Sequence, residues 1–217
     1  MKQSAGALTS GLVMALSGAL VSQAQPGAPT GNRELVIHLY NLAGVPEPSL
    51  DRAINRAADV LATAGINPVW WRGPIEAAEA HKVDLGKHTD RVAGDHLNRE
   101  FIVLVLSKNV PVHYVKGALG IAFPESETGV SAMVFYDRIE RLTKAYETDG
   151  TTVLGFAIAH EIGHVLLRSS GHGNFGIMKS PWTRADLQCA QARLATFTHA
   201  EHDAIWQHIR SDFERPR

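Results

Sequence analysis

The stretch Ala159–Met178, AHEIGHVLLRSSGHGNFGIM, places three histidines, a glutamate, four glycines and a methionine within twenty residues. His160 and His164 are four apart, the separation that puts two side chains on one face of a helix about a turn from each other. Glu161 stands beside them. Working backward, TTVLGFAIAHEIGHVLLRSS, Thr151–Ser170, contains no proline and predicts one helix, with Thr151 or Thr152 near its start and Gly171 just past its end. Leu154, Ile158, Ile162, Val165 and Leu166 give that helix apolar packing surface.

Neutral imidazole is a good zinc ligand, and a catalytic zinc takes three protein ligands and keeps one position for water. Two histidines are therefore one short. The third ligand belongs where the chain doubles back over the helix, and His172 follows Gly171, a residue able to break the helix. One zinc ion held by His160, His164 and His172 would lower the pKa of its bound water to about 7. Glu161 is then placed to take that proton and pass it to a leaving amine, which makes the implied reaction hydrolysis of an amide.

Around this segment, 217 residues with 45% hydrophobic and 20% charged residues are the composition of one globular domain with its own core. Lys and Arg number 21 against 22 Asp and Glu, and the sequence pI is near 6.8, so there is no electrostatic footprint for nucleic acid or an anionic membrane surface. The first residues run from Lys2 into an apolar stretch of small residues, Ala7–Val21, and end in Ser22-Gln23-Ala24, which reads as a signal peptide over 1–24 cleaved before Gln25. The expected product is exported, secreted or periplasmic, without stable membrane association. A flexible leader covers 25–32, and the single domain 33–217. With Cys189 alone there is no internal disulfide framework, and Cys189 reads as a small buried hydrophobe.

RELVIHLYN, Arg33–Asn41, reads as a strand covered on two faces, followed by a helix in EPSLDRAINRAADVLATAGINP with Ser49 as N-cap and Gly65 as stop. PVWW (68–71) and FIVLVLS (101–107) are further strands, the second buried and central. Between them Arg72–Glu100 is a long polar connection with a short helix in PIEAAEAH (74–81). Its His81, His88 and His96 lack metal-site spacing and read as surface residues. ALGIAFPE (118–125) and SAMVFYDRI (131–139) are two more strands around the turn-rich SETG (126–129), one of them an edge. TRADLQCAQARL (183–194) and FTHAEHDAIWQHIRSDF (197–213) are helices, the latter opened by Thr198 and Glu201 as a capping box. His199 and His202 read as exposed helical residues, His38 as a core or boundary residue, and Trp70, Trp71, Trp182 and Trp206 as packing anchors.

HEIGHVLLRSSGHGNFGIM resembles the zinc-binding helix and Met-turn of the metzincin clan of metallopeptidases. The resemblance implies an α+β zincin fold over roughly Arg33–Trp206: a mixed sheet of about five strands, a backing helix, the active-site helix, a Met-turn and C-terminal helices. It implies His160, His164 and His172 as zinc ligands, Glu161 as general base, and Met178 as the floor of the site. Substrate, a peptide or protein, would lie along an edge strand in Gly117–Pro124 or Ser131–Tyr136. The clan's usual pattern has glycine three residues after the second histidine and the third histidine three further on; here those positions are Leu167 and Ser170, and Gly171-His172 come later.

The reading is an exported zinc-dependent metalloendopeptidase. Two alternatives stand beside it. One is a non-enzymatic exported protein that binds zinc on the same fold, against which the presence of Glu161 argues. The other keeps the enzyme and recruits a downstream carboxylate, Glu201 or Asp186, as third ligand.

Overall fold

The computed structural model describes residues 35–73, 101–107, 117–124 and 131–214. The expected signal peptide and leader (1–32), most of the connection 72–100 with its short helix and His81, His88 and His96, and the SETG turn lie outside the described residues. Within them the order is β1 (Val36–Asn41), α1 (Glu47–Ala62), β2 (Val69–Gly73), β3 (Phe101–Ser107), β4 (Gly120–Ala122), β5 (Ala132–Phe135), α2 (Tyr136–Tyr146), α3 (Gly150–Leu167), α4 (Arg184–Gln191) and α5 (His199–Glu214).

The strands form one mixed sheet in the order β2-β1-β3-β5-β4. β1 pairs in parallel with both β2 and β3, β3 in parallel with β5, and β4 antiparallel with β5. This is the α+β architecture expected from the sequence. Of the two segments expected to supply an edge, β4 is the edge among the described residues and β5 lies inside the sheet.

α1 forms because Leu50, Ala53, Ile54, Ala57, Val60 and Leu61 recur at helical spacing and are all buried. Ser49 is not its N-cap. The helix starts at Glu47 because Pro48 fits the first turn, where its missing N–H has no intrahelical partner, and Glu47 adds a favourable negative charge there. The expected strand Ser131–Ile139 is shorter than its apolar pattern: it ends at Phe135 and the chain turns directly into α2. In α2, Ile139 and Leu142 face the core, and an Asp137–Arg141 ion pair one turn apart, 2.8 Å, adds local support.

α3 is the central element, packed against α1, α2, α4, α5, β4 and β5. Every residue from Thr152 to His164 is buried, so the helix has no solvent face in that stretch. By length and composition it could cross a membrane, but here it is the core helix of the fold. It crosses α1 closely at Gly155, where a Cβ would fall 2.6 Å from the Ala53 carbonyl oxygen and 2.7 Å from Arg56 Cβ. Its N-cap is Asp149 rather than Thr151 or Thr152: the carboxylate accepts from Thr151 N–H at 3.3 Å, Thr152 N–H at 2.9 Å and the Thr152 hydroxyl at 2.6 Å. Although burial opposes the charge, the Thr152 and Thr151 bonds together with Arg52 hold Asp149 below the usual carboxylate range.

Both C-terminal helices form as the sequence predicts. α5 opens on the Thr198–Glu201 capping box, with Thr198 N–H to Glu201 Oε2 at 2.7 Å and Glu201 N–H to Thr198 Oγ1 at 3.3 Å. α4 opens on a second such box, Thr183 with Asp186. Cys189 is exposed, not buried, because α4 turns Leu187 and Ala190 inward and position 189 falls on the opposite side.

Candidate metal centre

His160, Glu161 and His164 occupy the last two turns of α3. The two imidazoles are 7% and 5% exposed and Glu161 5%, a degree of burial that a glutamate rarely reaches unless paired. The His160 and His164 rings meet edge to face with centroids 4.7 Å apart, and the His172 ring stacks on His160 at 5.3 Å and meets His164 edge to face at 4.9 Å. One ligand nitrogen from each of the three lies within 4.8 Å of the others. The structure thus brings together the three histidines singled out in the sequence, His172 from a loop and exposed.

His160 Nδ1 lies 2.7 Å from the Ile177 carbonyl oxygen, and His164 Nδ1 lies 2.7 Å from the Ser169 carbonyl oxygen. A carbonyl only accepts, so both Nδ1 atoms carry the proton and both Nε2 atoms present bare lone pairs. Those two nitrogens face each other at 3.1 Å. Two acceptors at that separation repel unless a cation lies with them. Zinc–nitrogen bonds of about 2.0–2.1 Å in a tetrahedral arrangement set ligand nitrogens roughly 3.3 Å apart, so the donor set fits zinc.

The protonation states agree. Burial pushes His160 down to about 3, opposed by its bond to Ile177 and assisted by the neighbouring His164 and His172. Burial likewise lowers His164, against its bond to Ser169 and with help from His172. Both are neutral, as ligands must be, across the physiological range. Burial drives Glu161 the other way, up to about 8. Its carboxyl lies against β4: a Cβ added to Gly120 would fall 2.6 Å from Glu161 Oε1, so the glycine in ALGIAFPE makes room for the acid.

Met178 is 1% exposed and packs against α3 at Gly163, where an added Cβ would fall 2.5 Å from its Sδ. Gly163, Gly120 and the carbonyls of Ile177 and Ser169 were not singled out in the sequence. Only Gly163 carried a signal, as the small residue inside HEIGH. The loop bearing His172 is held by Gly173 N–H to the Met178 carbonyl at 2.9 Å and by Ile177 N–H to the Thr196 carbonyl at 2.9 Å. Trp182 closes the side of His160, edge to face at 5.4 Å.

The expected turn at Gly171 is made earlier. α3 stops at Leu167, and Arg168 takes the left-handed conformation, φ 49° and ψ 41°. Gly171 instead donates its N–H to Ser169 Oγ at 3.1 Å. The downstream carboxylates are engaged elsewhere. Glu201 caps α5, and Asp186 takes Lys179 Nζ at 2.7 Å and the Thr183 hydroxyl and N–H at 2.6 and 2.7 Å. Burial raises Asp186, but Lys179 and Thr183 outweigh it and bring the carboxyl down to about 2.

No protein-family model and no curated protein matches the chain. Among solved structures, the chain is similar to a zinc-dependent peptidase from Methanocorpusculum labreanum, with 17% identity over 78% of this chain and 99% of that one and a TM-score of 0.48. It is also similar to archaemetzincin from Methanopyrus kandleri, with 15% identity over 84% of this chain and 99% of that one and a TM-score of 0.49.

Proposed function

We propose that this chain is an exported zinc-dependent metalloendopeptidase acting on peptide or protein substrates. The observation that supports it most is the meeting of three imidazoles, two with Nε2 bared by carbonyl anchors, beside a buried carboxyl. His160, His164 and His172 would hold one zinc ion. Zinc supplies Lewis acidity there, polarising a carbonyl and bringing the pKa of a water molecule to about 7.

Glu161 is the general base, accepting a proton from the attacking water and delivering it to the leaving amine nitrogen. In the metal-free protein burial keeps it protonated up to about pH 8, and a neighbouring cation favours the ionised form it needs. β4 pairs only with β5 among the described residues, so its outer edge suits an extended peptide added as a strand. The apolar stretch Ala7–Val21 ahead of Ser22-Gln23-Ala24 supports export.

The test is zinc content after dialysis together with peptide cleavage. The purified chain should hold one zinc and cleave, His172→Ala should lose the zinc, and Glu161→Gln should keep it while losing turnover. Undiminished cleavage by Glu161→Gln overturns the mechanism, and zinc without turnover in the parent chain leaves a metal-binding protein only. An N-terminus at Gln25 in the exported product would confirm the route.

A further inference from the structure

Resting on the three-histidine reading above, we infer that Arg168 is a positioning residue: its left-handed turn at the end of α3 places the Ser169 carbonyl on the His164 ring and so fixes which nitrogen of His164 faces the metal. Arg168 N–H bonds to the Val165 carbonyl and Ser169 N–H to the His164 carbonyl, each at 3.2 Å. That pair of bonds is the Schellman closure of a helix, in which the reversing residue is commonly glycine. Here it is arginine, and the left-handed conformation is one that a side-chain-bearing residue seldom adopts.

The turn gives His164 something a continuing helix would not. Were Arg168 helical, the Ser169 carbonyl would point forward along the axis, toward the N–H of residue 173, and away from a ring one turn behind it. Reversal at Arg168 brings it back onto His164 Nδ1 at 2.7 Å. Ser169 therefore grips His164 twice, through the main chain by its N–H and through the ring by its carbonyl. Its hydroxyl then takes Gly171 N–H at 3.1 Å, immediately before His172, so the same turn leads into the third ligand. His160 is an internal control, because its carbonyl anchor comes from Ile177 on the other side of the loop.

The experiment compares wild type, Arg168→Val and Arg168→Gly. Histidine ring nitrogens are read by NMR on the metal-free, nitrogen-labelled chain, and zinc affinity by chelator competition. Wild type should show Nδ1 protonated on both His160 and His164. Valine, β-branched and poorly accommodated at positive φ, should erase that preference at His164 but not at His160. It should also weaken zinc ten- to a hundredfold, the usual effect of losing a group that orients a ligand. Glycine, which takes the turn without strain, should preserve both rings and bind zinc within about threefold of wild type. The inference is overturned if valine leaves His164 unchanged, or if glycine loses the preference, since the guanidinium and not the turn would then be responsible. Should the valine chain not fold, the glycine chain decides alone by the same criterion. A wild type that binds no zinc would sink the functional reading instead, and the metal-free ring measurement distinguishes that failure from this one.

Discussion

The two sides of the three-histidine cluster are built on different principles. His160 and His164 are carried by a helix buried on all sides, their rings tied to main-chain carbonyls, so their geometry belongs to the fold. His172 is exposed, sits on a loop, and has ring contacts with the other two but no hydrogen bond among the described residues. Placement is thus concentrated on one side of the site and access on the other. The helical pair should fix where an ion sits, and the loop histidine how readily it enters or leaves.

The largest effect should come from the acid between the helical ligands. Glu161→Gln is expected to lower turnover by about 10²–10⁴ with zinc content unchanged, since a positioned base contributes that much; zinc loss would mean that Glu161 also holds the pair together. Next comes the contrast itself. His160→Ala should destabilise the metal-free chain by about 1–3 kcal/mol, because it leaves the Ile177 carbonyl unpaired beside a cavity. His172→Ala should stay within about 0.5 kcal/mol of wild type, as exposed substitutions do. Equal losses in urea unfolding would erase the distinction between the two sides. Gly163→Ala should cost about 1–3 kcal/mol by forcing a methyl group against Met178 Sδ, seen as a lower Tm.

A further effect concerns acid. Lys179, adjacent to Met178, fastens the loop side to α4 through Asp186. Asp186 has its folded-state pKa lowered from 3.8 to about 2, so its contribution is complete above about pH 4 and is lost as pH falls toward 2. The loss should be about 1–2 kcal/mol, and Asp186→Asn should remove that slope from an acid unfolding series.

His160, Glu161 and His164 were legible in the sequence because helix geometry alone converts their spacing into a shared face. His172 needed only a nearby place for the chain to turn. The exact turn was hidden, since glycine at 171 is the obvious choice and nothing local says that Arg168 will take positive φ: that is decided by closure of the last helical turn onto Ser169. Helix starts were misjudged by a few residues for a related reason. Asp149, one residue ahead of the helix, accepts from the N–H groups of Thr151 and Thr152, while α1 starts before Ser49 at Glu47, where Pro48 fits the first turn without any side-chain cap. The apolar pattern of MVFYDRI suits either state, and from Tyr136 on the chain forms a helix that buries Ile139, so β5 is shorter than its pattern. Residue type alone points Cys189 inward, whereas the phase of α4, set by Leu187 and Ala190, puts it outside.

α3 has one more consequence, for the chain before it folds. Gly150–Leu167 passes for a bilayer-spanning segment by length and hydropathy, and its ionisable residues are His160, Glu161 and His164. A charged side chain at the centre of a spanning helix costs about 2.5–3.5 kcal/mol on insertion, and Glu161, within a turn of the centre, carries part of that cost, which counts in a marginal segment. On the export route and metal site proposed above, the same three residues would also favour passage of the nascent helix through the translocation machinery over lodging in the membrane beside it.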